Sequence, residues 1–388
     1  MITTARKKRR ILLMYITRVS GHRQATMAIQ HALKEIDPTI DAPTINGFGY
    51  TYPRLEKVVN SAYMSVIKTT PKVWDYLYDN PNIVKKSKRI KDFLHKTSHA
   101  KMGKLIEKYH PDAVVCTQAF PCGMVADYKK EHGAKFKVIG VLTDYAPHSY
   151  WINEGVDYYI VPSTEAKERF ITKSVSEDSI KVYGIPVRSK FAAQLGKQPI
   201  ADKLGIDLSI PTVLVMGGGQ GLGPIRGVVK SLMTIEMPLQ LVVLTGVNKK
   251  LMKWLEKQQT KKRPKKQTKN KKLIFYEYSN NVDELMEAAT LIITKPGGMT
   301  TAECLCKGLP MVIVNPLPGQ EMRNTDFLLQ KGIAIRIDKT NDIGEEVELL
   351  LKSPEKIIDM SKAAYAEAKP HAALDIAQLI LNETETKE

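Results

Sequence analysis

Short apolar runs alternate with segments of helical periodicity along the chain. The run ILLMYIT at 11–17 is apolar enough for a strand buried on both faces of a sheet, and GHRQATMAIQHALKEI after it spaces apolar residues three and four positions apart. Further strands are predicted at 113–117, 137–142, 158–161, 180–183, 212–216, 240–245, 272–276, 291–294 and 310–314. Strands and helices in alternation are typical of parallel α/β folds.

A stretch rich in proline and glycine interrupts this alternation. It has the sequence GIPVRSKFAAQLGKQPIADKLGIDLSIP, and we place a domain boundary within it, at 188–210. With 388 residues, the chain is long enough for two domains. Doubly wound domains carry their ligand sites at the carboxyl ends of their strands, so we expect a shared cleft there. The tail from Pro354 is predicted to be helical, with a break at Pro370.

The composition, 43% hydrophobic and 26% charged, is that of a globular protein. Four cysteines are too few for a disulfide framework, and Cys304 and Cys306, two positions apart on a predicted helix, would diverge rather than share a zinc ion. No apolar run reaches the roughly 18–20 residues of a membrane span, and the apolar stretch near the start is short for a signal peptide. We therefore expect a protein of a reducing, cytosolic compartment.

The formal net charge of +17 favours a polyanionic partner, either nucleic acid or an anionic lipid surface. Nine basic residues and no acidic residue lie at 257–272, where we expect a solvated loop. A second segment, 47–104, mixes lysines with tyrosine, tryptophan and methionine. That mixture is typical of an interfacial membrane segment, and an ordinary amphipathic insertion is the alternative.

A triple glycine, Gly217, Gly218 and Gly219, follows the strand predicted at 212–216. Glycines let an anion such as a diphosphate approach the backbone, and the next helix would offer unpaired amides. The spacing is not G-x-G-x-x-G, and no acidic residue follows about twenty positions later, which argues against a nicotinamide cofactor. A P-loop motif is absent from the sequence. A tight turn without a ligand is the alternative.

A second glycine turn leading into a helix follows the strand predicted at 291–294. Gly297 and Gly298 precede Thr300 and Thr301 at a predicted helix start, with Glu303 one turn further on. Two helix N-termini can face one diphosphate, and a carboxylate in the first turn suits ribose hydroxyls.

A third polar loop follows the strand predicted at 310–314. It offers Gln320, Glu321 and Asn324, whose amides and carboxylate can bind sugar hydroxyls. Three polar loops after strands of one sheet indicate a ligand rather than three unrelated turns.

The first half of the chain offers candidate bases. His22 lies just past a strand, at the start of a helix, where imidazolium is disfavoured and a neutral imidazole can accept a proton. A capping or packing role for His22 is the alternative. Asp144, His148 and Trp151 follow another strand.

The segment KPGGMTTAECLCKGLPMVIVNPLPGQEMRN resembles the donor domain of family 28 glycosyltransferases, in the branch of monogalactosyldiacylglycerol synthases and processive diacylglycerol glucosyltransferases. The resemblance extends to SGHRQATMAI, GVLTDYAPHSYWINEGVDYYIVPSTEAKERF and KVYGIPVRSKF, and so covers most of the chain. In that family the loop before the histidine usually has glycines, whereas here Val19, Ser20 and Gly21 precede it.

The resemblance implies a GT-B fold, an α/β architecture with two Rossmann-like domains facing a central cleft. We expect an acceptor and membrane-docking domain at 1–195, a UDP-sugar donor domain at 196–360, and a C-terminal helix at 361–388 that returns to the first domain.

The resemblance also implies which residues of the second domain bind the diphosphate, ribose and hexose of the donor. The diphosphate would be held by Gly297, Gly298, Met299, Thr300 and Thr301, the ribose by Glu303, and the hexose by Gln320, Glu321 and Asn324. The uracil would pair with backbone near Tyr278. On the acceptor side, Phe120, Pro121, His148 and Trp151 would line the cleft, and His22 or Asp144 would remove a proton.

The activity implied is inverting transfer of a hexose, glucose favoured over galactose, from a UDP-sugar to diacylglycerol. No cofactor is expected, and the absence of an Asp-x-Asp motif is consistent with metal independence. Alternatives are a lipid II-forming N-acetylglucosaminyltransferase or an epimerase of the same fold. A nucleic-acid-binding protein is suggested only by the charge, and no RNA- or DNA-binding motif supports it.

Because diacylglycerol lies in a bilayer, we expect a peripheral protein on the anionic cytoplasmic face of the plasma membrane.

Overall fold

The computed structural model describes residues 9–17, 20–51, 100–146, 149–260 and 271–385. The chain forms two compact units. The first comprises Met1–Ser189, Pro318–Gln320 and Pro370–Glu388, and the second Lys190–Leu317 and Glu321–Lys369. The contacts thus divide the chain at 189/190 and 369/370, where the sequence suggested 195/196 and 360/361.

The first unit contains a six-stranded parallel sheet with the strand order β2-β1-β3-β4-β5-β6. Its strands are β1 (Ile11–Tyr15), β2 (Thr44–Asn46), β3 (Ala113–Cys116), β4 (Lys137–Val141), β5 (Tyr158–Ile160) and β6 (Ile180–Lys181). Its helices include α1 (Gly21–Ile36), α2 (Gly47–Thr51), α3 (Ala119–His132) and α4 (Thr164–Ile171), and residues 100–109 are also helical.

Strand β1 is buried on both faces, as its uninterrupted apolar run predicts. Ile11 and Leu13 pack in one cluster with the apolar stripe of α1, while Leu12 and Met14 pack in a second cluster with α3. Helix α1 begins where Ser20 caps it, with the Ser20 hydroxyl accepting from the Arg23 amide at 3.3 Å.

The second unit also contains a six-stranded parallel sheet, with the order β12-β11-β10-β7-β8-β9. Its strands are β7 (Thr212–Met216), β8 (Leu239–Leu244), β9 (Lys271–Tyr276), β10 (Leu291–Thr294), β11 (Met311–Val314) and β12 (Ala334–Ile337). Its helices are α5 (Lys197–Leu204), α6 (Ile225–Leu232), α7 (Lys249–Thr260), α8 (Val282–Ala288), α9 (Gly298–Cys306), α10 (Gln320–Gln330), α11 (Ile343–Leu351) and α12 (Pro354–Glu367). Because β10 lies between β7 and β11, the loops after these three strands are neighbours at one edge.

The last helix, α13 (Ala372–Glu383), belongs to the first unit and packs against α1. The Glu383 carboxylate accepts from the Tyr158 hydroxyl at 2.7 Å and pairs with Lys137 at 2.9 Å. Helix α12 instead packs on α9 and α11, so residues 361–369 stay with the second unit.

Two predicted segments fall largely outside the described residues. Of 47–104, only 47–51 and 100–104 are described, and both stretches are helical. Of the segment 257–272, residues 257–260 end α7, residues 271–272 begin β9, and 261–270 lie outside the described residues. Within the described ranges, no helix combines the length and apolar character needed to cross a bilayer.

Candidate active site

The turn from β10 into α9 presents unpaired backbone amides. The first hydrogen bond of the α9 ladder runs from the Thr301 amide to the Gly297 carbonyl at 2.9 Å. The amides of Gly298, Met299 and Thr300 precede it and have no carbonyl one turn back to bond within the helix. These amides lie where the sequence predicts the diphosphate site, at the carboxyl edge of the sheet.

The Thr301 hydroxyl is a buried polar group without a hydrogen-bond partner among the described residues. Thr301 is 0% exposed. A threonine hydroxyl inside a helix can bond to the carbonyl one turn back, but here it does not. An unbonded buried hydroxyl costs about 1–3 kcal/mol of folding free energy. Its presence at this turn therefore favours a ligand that bonds to it.

Two predicted sugar-binding residues form hydrogen bonds that join the neighbouring loops. Glu321 accepts from Lys295 Nζ at 2.9 Å through Oε1 and from the Leu317 amide at 2.7 Å through Oε2. Asn324 is fully buried and donates from Nδ2 to the Pro296 carbonyl at 2.9 Å. Gln320 is the first residue of α10 and is half-buried. Lys295, directly after β10, was not predicted from the sequence.

The triple-glycine loop folds tightly on itself. The Leu222 amide donates to the Gly217 carbonyl at 3.0 Å, and the Val247 amide to the Gly219 carbonyl at 3.1 Å. A Cβ on Gly217 would lie 1.9 Å from the Leu222 carbonyl oxygen, so only glycine fits there. The loop's own packing therefore accounts for Gly217, whereas Gly218 is half-buried and Gly219 is exposed.

Two more predicted donor residues lie near this edge. Tyr278 lies two residues past β9 and is 54% exposed. Glu303 is half-buried on α9, two residues after Thr301.

In the first unit, His22 lies in a network of threonine side chains. His22 Nδ1 lies 2.8 Å from the Thr117 carbonyl and 3.0 Å from the Thr143 hydroxyl. The hydroxyls of Thr26 and Thr117 lie 2.9 Å apart, and each is within bonding distance of the His22 carbonyl, at 3.0 and 2.9 Å. Both the ring and the backbone of His22 are therefore held in place.

This network determines which ring nitrogen of His22 carries the proton. A carbonyl oxygen can only accept, so Nδ1 carries the hydrogen that is donated to Thr117. In the neutral ring, Nε2 is then the acceptor. Burial lowers the pKa of His22 to about 4, although the bond to the Thr117 carbonyl raises it. At neutral pH the side chain is thus an unprotonated base.

Asp144 is connected to His22 through Thr143. The Thr143 hydroxyl lies 3.0 Å from His22 Nδ1 and donates to Asp144 Oδ2 at 3.4 Å. Thr117 and Thr143 were not identified from the sequence, although each follows a strand of the sheet that leads to the site.

The predicted acceptor residues differ in accessibility. Phe120 is half-buried at the start of α3, where its amide donates to the Gln118 side chain at 2.7 Å, and Pro121 is buried beside it. Trp151 is only 4% exposed and packs in the core with Cys122 and Tyr159, so it is chiefly a core residue. His148 lies outside the described residues.

The described part of the chain contains no group of three or more His, Cys, Asp or Glu side chains arranged to hold a metal ion. Cys304 and Cys306 are both buried on α9.

Two family models match the chain, one over each half. Residues 22–187 match the model described as monogalactosyldiacylglycerol (MGDG) synthase, and residues 212–380 match the glycosyltransferase family 28 C-terminal domain. These ranges contain the His22 network and the β10–α9 turn, respectively.

Individual relatives agree with the family models, and a solved structure shares the fold. A processive diacylglycerol beta-glucosyltransferase of Bacillus licheniformis is 31% identical over 277 residues, covering 71% of this chain and 70% of the relative. One from Bacillus pumilus is 26% identical over 378 residues, covering 97% and 96%. The crystal structure of MurG from Acinetobacter baumannii matches with a TM-score of 0.64 at 14% identity, covering 96% of this chain and 99% of that one. The fold is GT-B, as predicted, and the chain belongs to glycosyltransferase family 28, in its diacylglycerol glycosyltransferase branch.

Proposed function

We propose that this protein transfers a hexose, glucose in preference to galactose, from a UDP-sugar to the free hydroxyl of diacylglycerol. The names of its relatives support the acceptor and the choice of glucose. Those relatives form a beta linkage, and because the glucose of UDP-glucose is alpha-linked, a single displacement would invert the transferred carbon. The observation that carries the proposal is the fixed, neutral His22.

His22 serves as the general base. As the acceptor hydroxyl attacks the anomeric carbon, its proton passes to His22 Nε2, which is the unprotonated nitrogen because Nδ1–H is donated to Thr117. The bond between the anomeric carbon and the diphosphate oxygen breaks, and UDP leaves with that electron pair. A base in this position contributes roughly 10²–10⁴ in rate. Asp144, bonded to Thr143, supports the orientation of the ring rather than taking the proton itself.

The leaving diphosphate is stabilised at the start of α9. The amides of Gly298, Met299 and Thr300 supply hydrogen bonds, and the helix dipole adds positive potential there. The buried Thr301 hydroxyl gains a partner if the turn opens slightly around a phosphoryl oxygen. The reaction does not require a metal ion under this proposal, so a chelator should leave the rate unchanged.

The protein works on the cytoplasmic face of the plasma membrane under the same proposal, as a peripheral protein bound to anionic lipid. The net charge of +17 supports an electrostatic attraction to such a surface.

Replacing Lys85, Lys86, Lys88 and Arg89 with glutamine should weaken binding to anionic vesicles, since each basic residue near the surface contributes about 1 kcal/mol. Four matched substitutions on α7 (Lys249, Lys250, Lys253 and Lys257) should have a smaller effect. Equal binding to neutral and anionic vesicles would contradict this part.

A transfer assay tests the activity. The purified protein is incubated with labelled UDP-glucose or UDP-galactose and vesicles containing diacylglycerol, and lipid products are separated and counted. We expect labelled glycolipid, with more product from UDP-glucose, and little product from His22→Gln. No labelled lipid with either donor, under conditions in which a Bacillus relative is active, would overturn the proposal.

A further inference from the structure

We propose that Lys295 is a positioning residue for the donor's hexose, acting through Glu321. This inference rests on the proposed function and assigns a role to a side chain that the sequence did not single out. Lys295 lies directly after β10, at the carboxyl edge of the second sheet. Its side chain reaches the loops that follow both neighbouring strands.

The ion pair between Lys295 and Glu321 is largely shielded from water. The Nζ–Oε1 distance is 2.9 Å, and the two side chains are 11% and 19% exposed. Removing one partner of such a pair leaves an uncompensated charge in a poorly solvated place. By contrast, the pair Lys203–Glu284 in the same unit has a lysine that is 56% exposed, and solvent screens it.

The aliphatic stem of Lys295 runs beside the loop after β7. A Cβ placed on Gly223 would lie 3.6 Å from Lys295 Cδ. One side chain therefore lies beside the glycine loop after β7 and bonds to the first turn of α10 after β11.

Glu321 uses its second carboxylate oxygen to shape the turn that contains Gln320. Oε2 accepts from the Leu317 amide at 2.7 Å, which closes the segment from Leu317 to Glu321. One turn further along α10, buried Asn324 bonds to the Pro296 carbonyl. The start of α10 is thus fastened to the β10–α9 turn at two points, of which the Lys295 pair is the charged one.

This geometry gives Lys295 an indirect role. Its ammonium is bonded to Glu321, and Glu321 in turn holds the loop predicted to contact the hexose. Loss of the pair should therefore disturb recognition of the sugar more than recognition of UDP. If Lys295 instead bound the diphosphate directly, its loss would weaken UDP and the UDP-sugar alike.

The test compares Lys295→Met, Lys295→Arg and the double variant Lys295→Met with Glu321→Gln, with Lys203→Met as the control at an exposed pair. The double variant removes both charges and leaves neither one unpaired, so it should fold even if Lys295→Met does not. Thermal unfolding checks each protein. Calorimetry measures affinity for UDP, UDP-glucose and UDP-galactose, and the transfer assay gives kcat and KM for both sugars.

We expect the double variant to bind UDP as wild type does, while its preference for glucose over galactose in kcat/KM falls about tenfold, the effect of one lost charged hydrogen bond. Lys295→Arg should restore most of the preference, and Lys203→Met should change nothing. An equal loss of UDP affinity, or an unchanged sugar preference in a folded double variant, would overturn the inference. If wild type transfers no hexose, the proposed function fails, and the calorimetric comparison of the two UDP-sugars still decides the role of Lys295.

Discussion

The two strand-edge sites differ in how completely their buried hydroxyls are hydrogen-bonded. Around His22, the hydroxyls of Thr26, Thr117 and Thr143 all bond to one another, to His22 or to Asp144. At the β10–α9 turn, the equally buried Thr301 hydroxyl has no partner within the described structure.

Under the proposed function, this difference separates a preformed catalytic group from a binding surface. A fully bonded network holds one ring orientation and one tautomer, which a general base needs before its substrate arrives. Unsatisfied groups at a helix start are instead ready to bond to an anion. Under the proposed function, the first site is therefore suited to proton transfer and the second to a diphosphate.

The largest expected effect comes from removing the base. His22→Ala should lower kcat by roughly 10²–10⁴, because the acceptor hydroxyl loses its proton acceptor. Affinity for UDP should not change, since His22 and the β10–α9 turn belong to different units. Steady-state kinetics and calorimetry on the same preparation measure both quantities. Near-normal turnover by His22→Ala would remove His22 from the mechanism.

A matched pair of threonine substitutions tests the difference in hydroxyl bonding directly. Thr117→Val removes a bonded, buried hydroxyl and should lower the free energy of unfolding by about 1–3 kcal/mol. Thr301→Val removes an unbonded one and should leave stability unchanged or slightly increased, while raising KM for the UDP-sugar.

Denaturant unfolding of the two variants gives the comparison, and Thr301→Ser, which keeps the hydroxyl, is the control for donor binding. Equal destabilisation by Thr117→Val and Thr301→Val would mean that the two sites do not differ in this way.

The smallest expected effect is that of pH on activity. With a pKa of about 4, His22 is about 97% neutral at pH 5.5, whereas an ordinary histidine would be about 10% neutral. The transfer rate measured with either UDP-sugar should therefore change less than about twofold between pH 7.5 and 5.5. An acid limb centred near 6.5 would contradict the buried environment of the ring.

The sign of the effect on stability follows from the same pKa. The folded state resists protonation of His22, and the unfolded state binds the proton below about pH 6.5. His22 therefore makes no contribution above that pH and destabilises the folded state as pH falls from 6.5 towards 4. In His22→Gln this part of the pH dependence of unfolding should be absent.

The sequence predicted the regular elements wherever apolar periodicity was strong. Strands β7 and β10 and helix α1 have the predicted bounds. Strands β2 and β12 were not predicted, for a physical reason. β2 has only three residues, all half-buried, and β12 is interrupted by the exposed Arg336. Neither strand therefore has an apolar run long enough to distinguish it from a loop in the sequence.

The site was predicted as a set of loops but not as a set of contacts. His22 bonds to residues 95 and 121 positions away, and spacing along the chain does not indicate such pairings. In the sequence, Lys295 cannot be distinguished from an ordinary solvated lysine, because only the fold brings Glu321 beside it. Trp151 was predicted to line the acceptor site, but an aromatic residue after a strand can equally face the core, as it does here.

The most direct test of this account is the structure of the protein bound to UDP. We predict that diphosphate oxygens lie within about 3 Å of the amides of Gly298, Met299 and Thr300. We also predict that the Thr301 hydroxyl gains a bond there, while His22 Nδ1 keeps its bond to Thr117. A diphosphate bound elsewhere, with the Thr301 hydroxyl still unbonded, would contradict the assignment of this turn as the donor site.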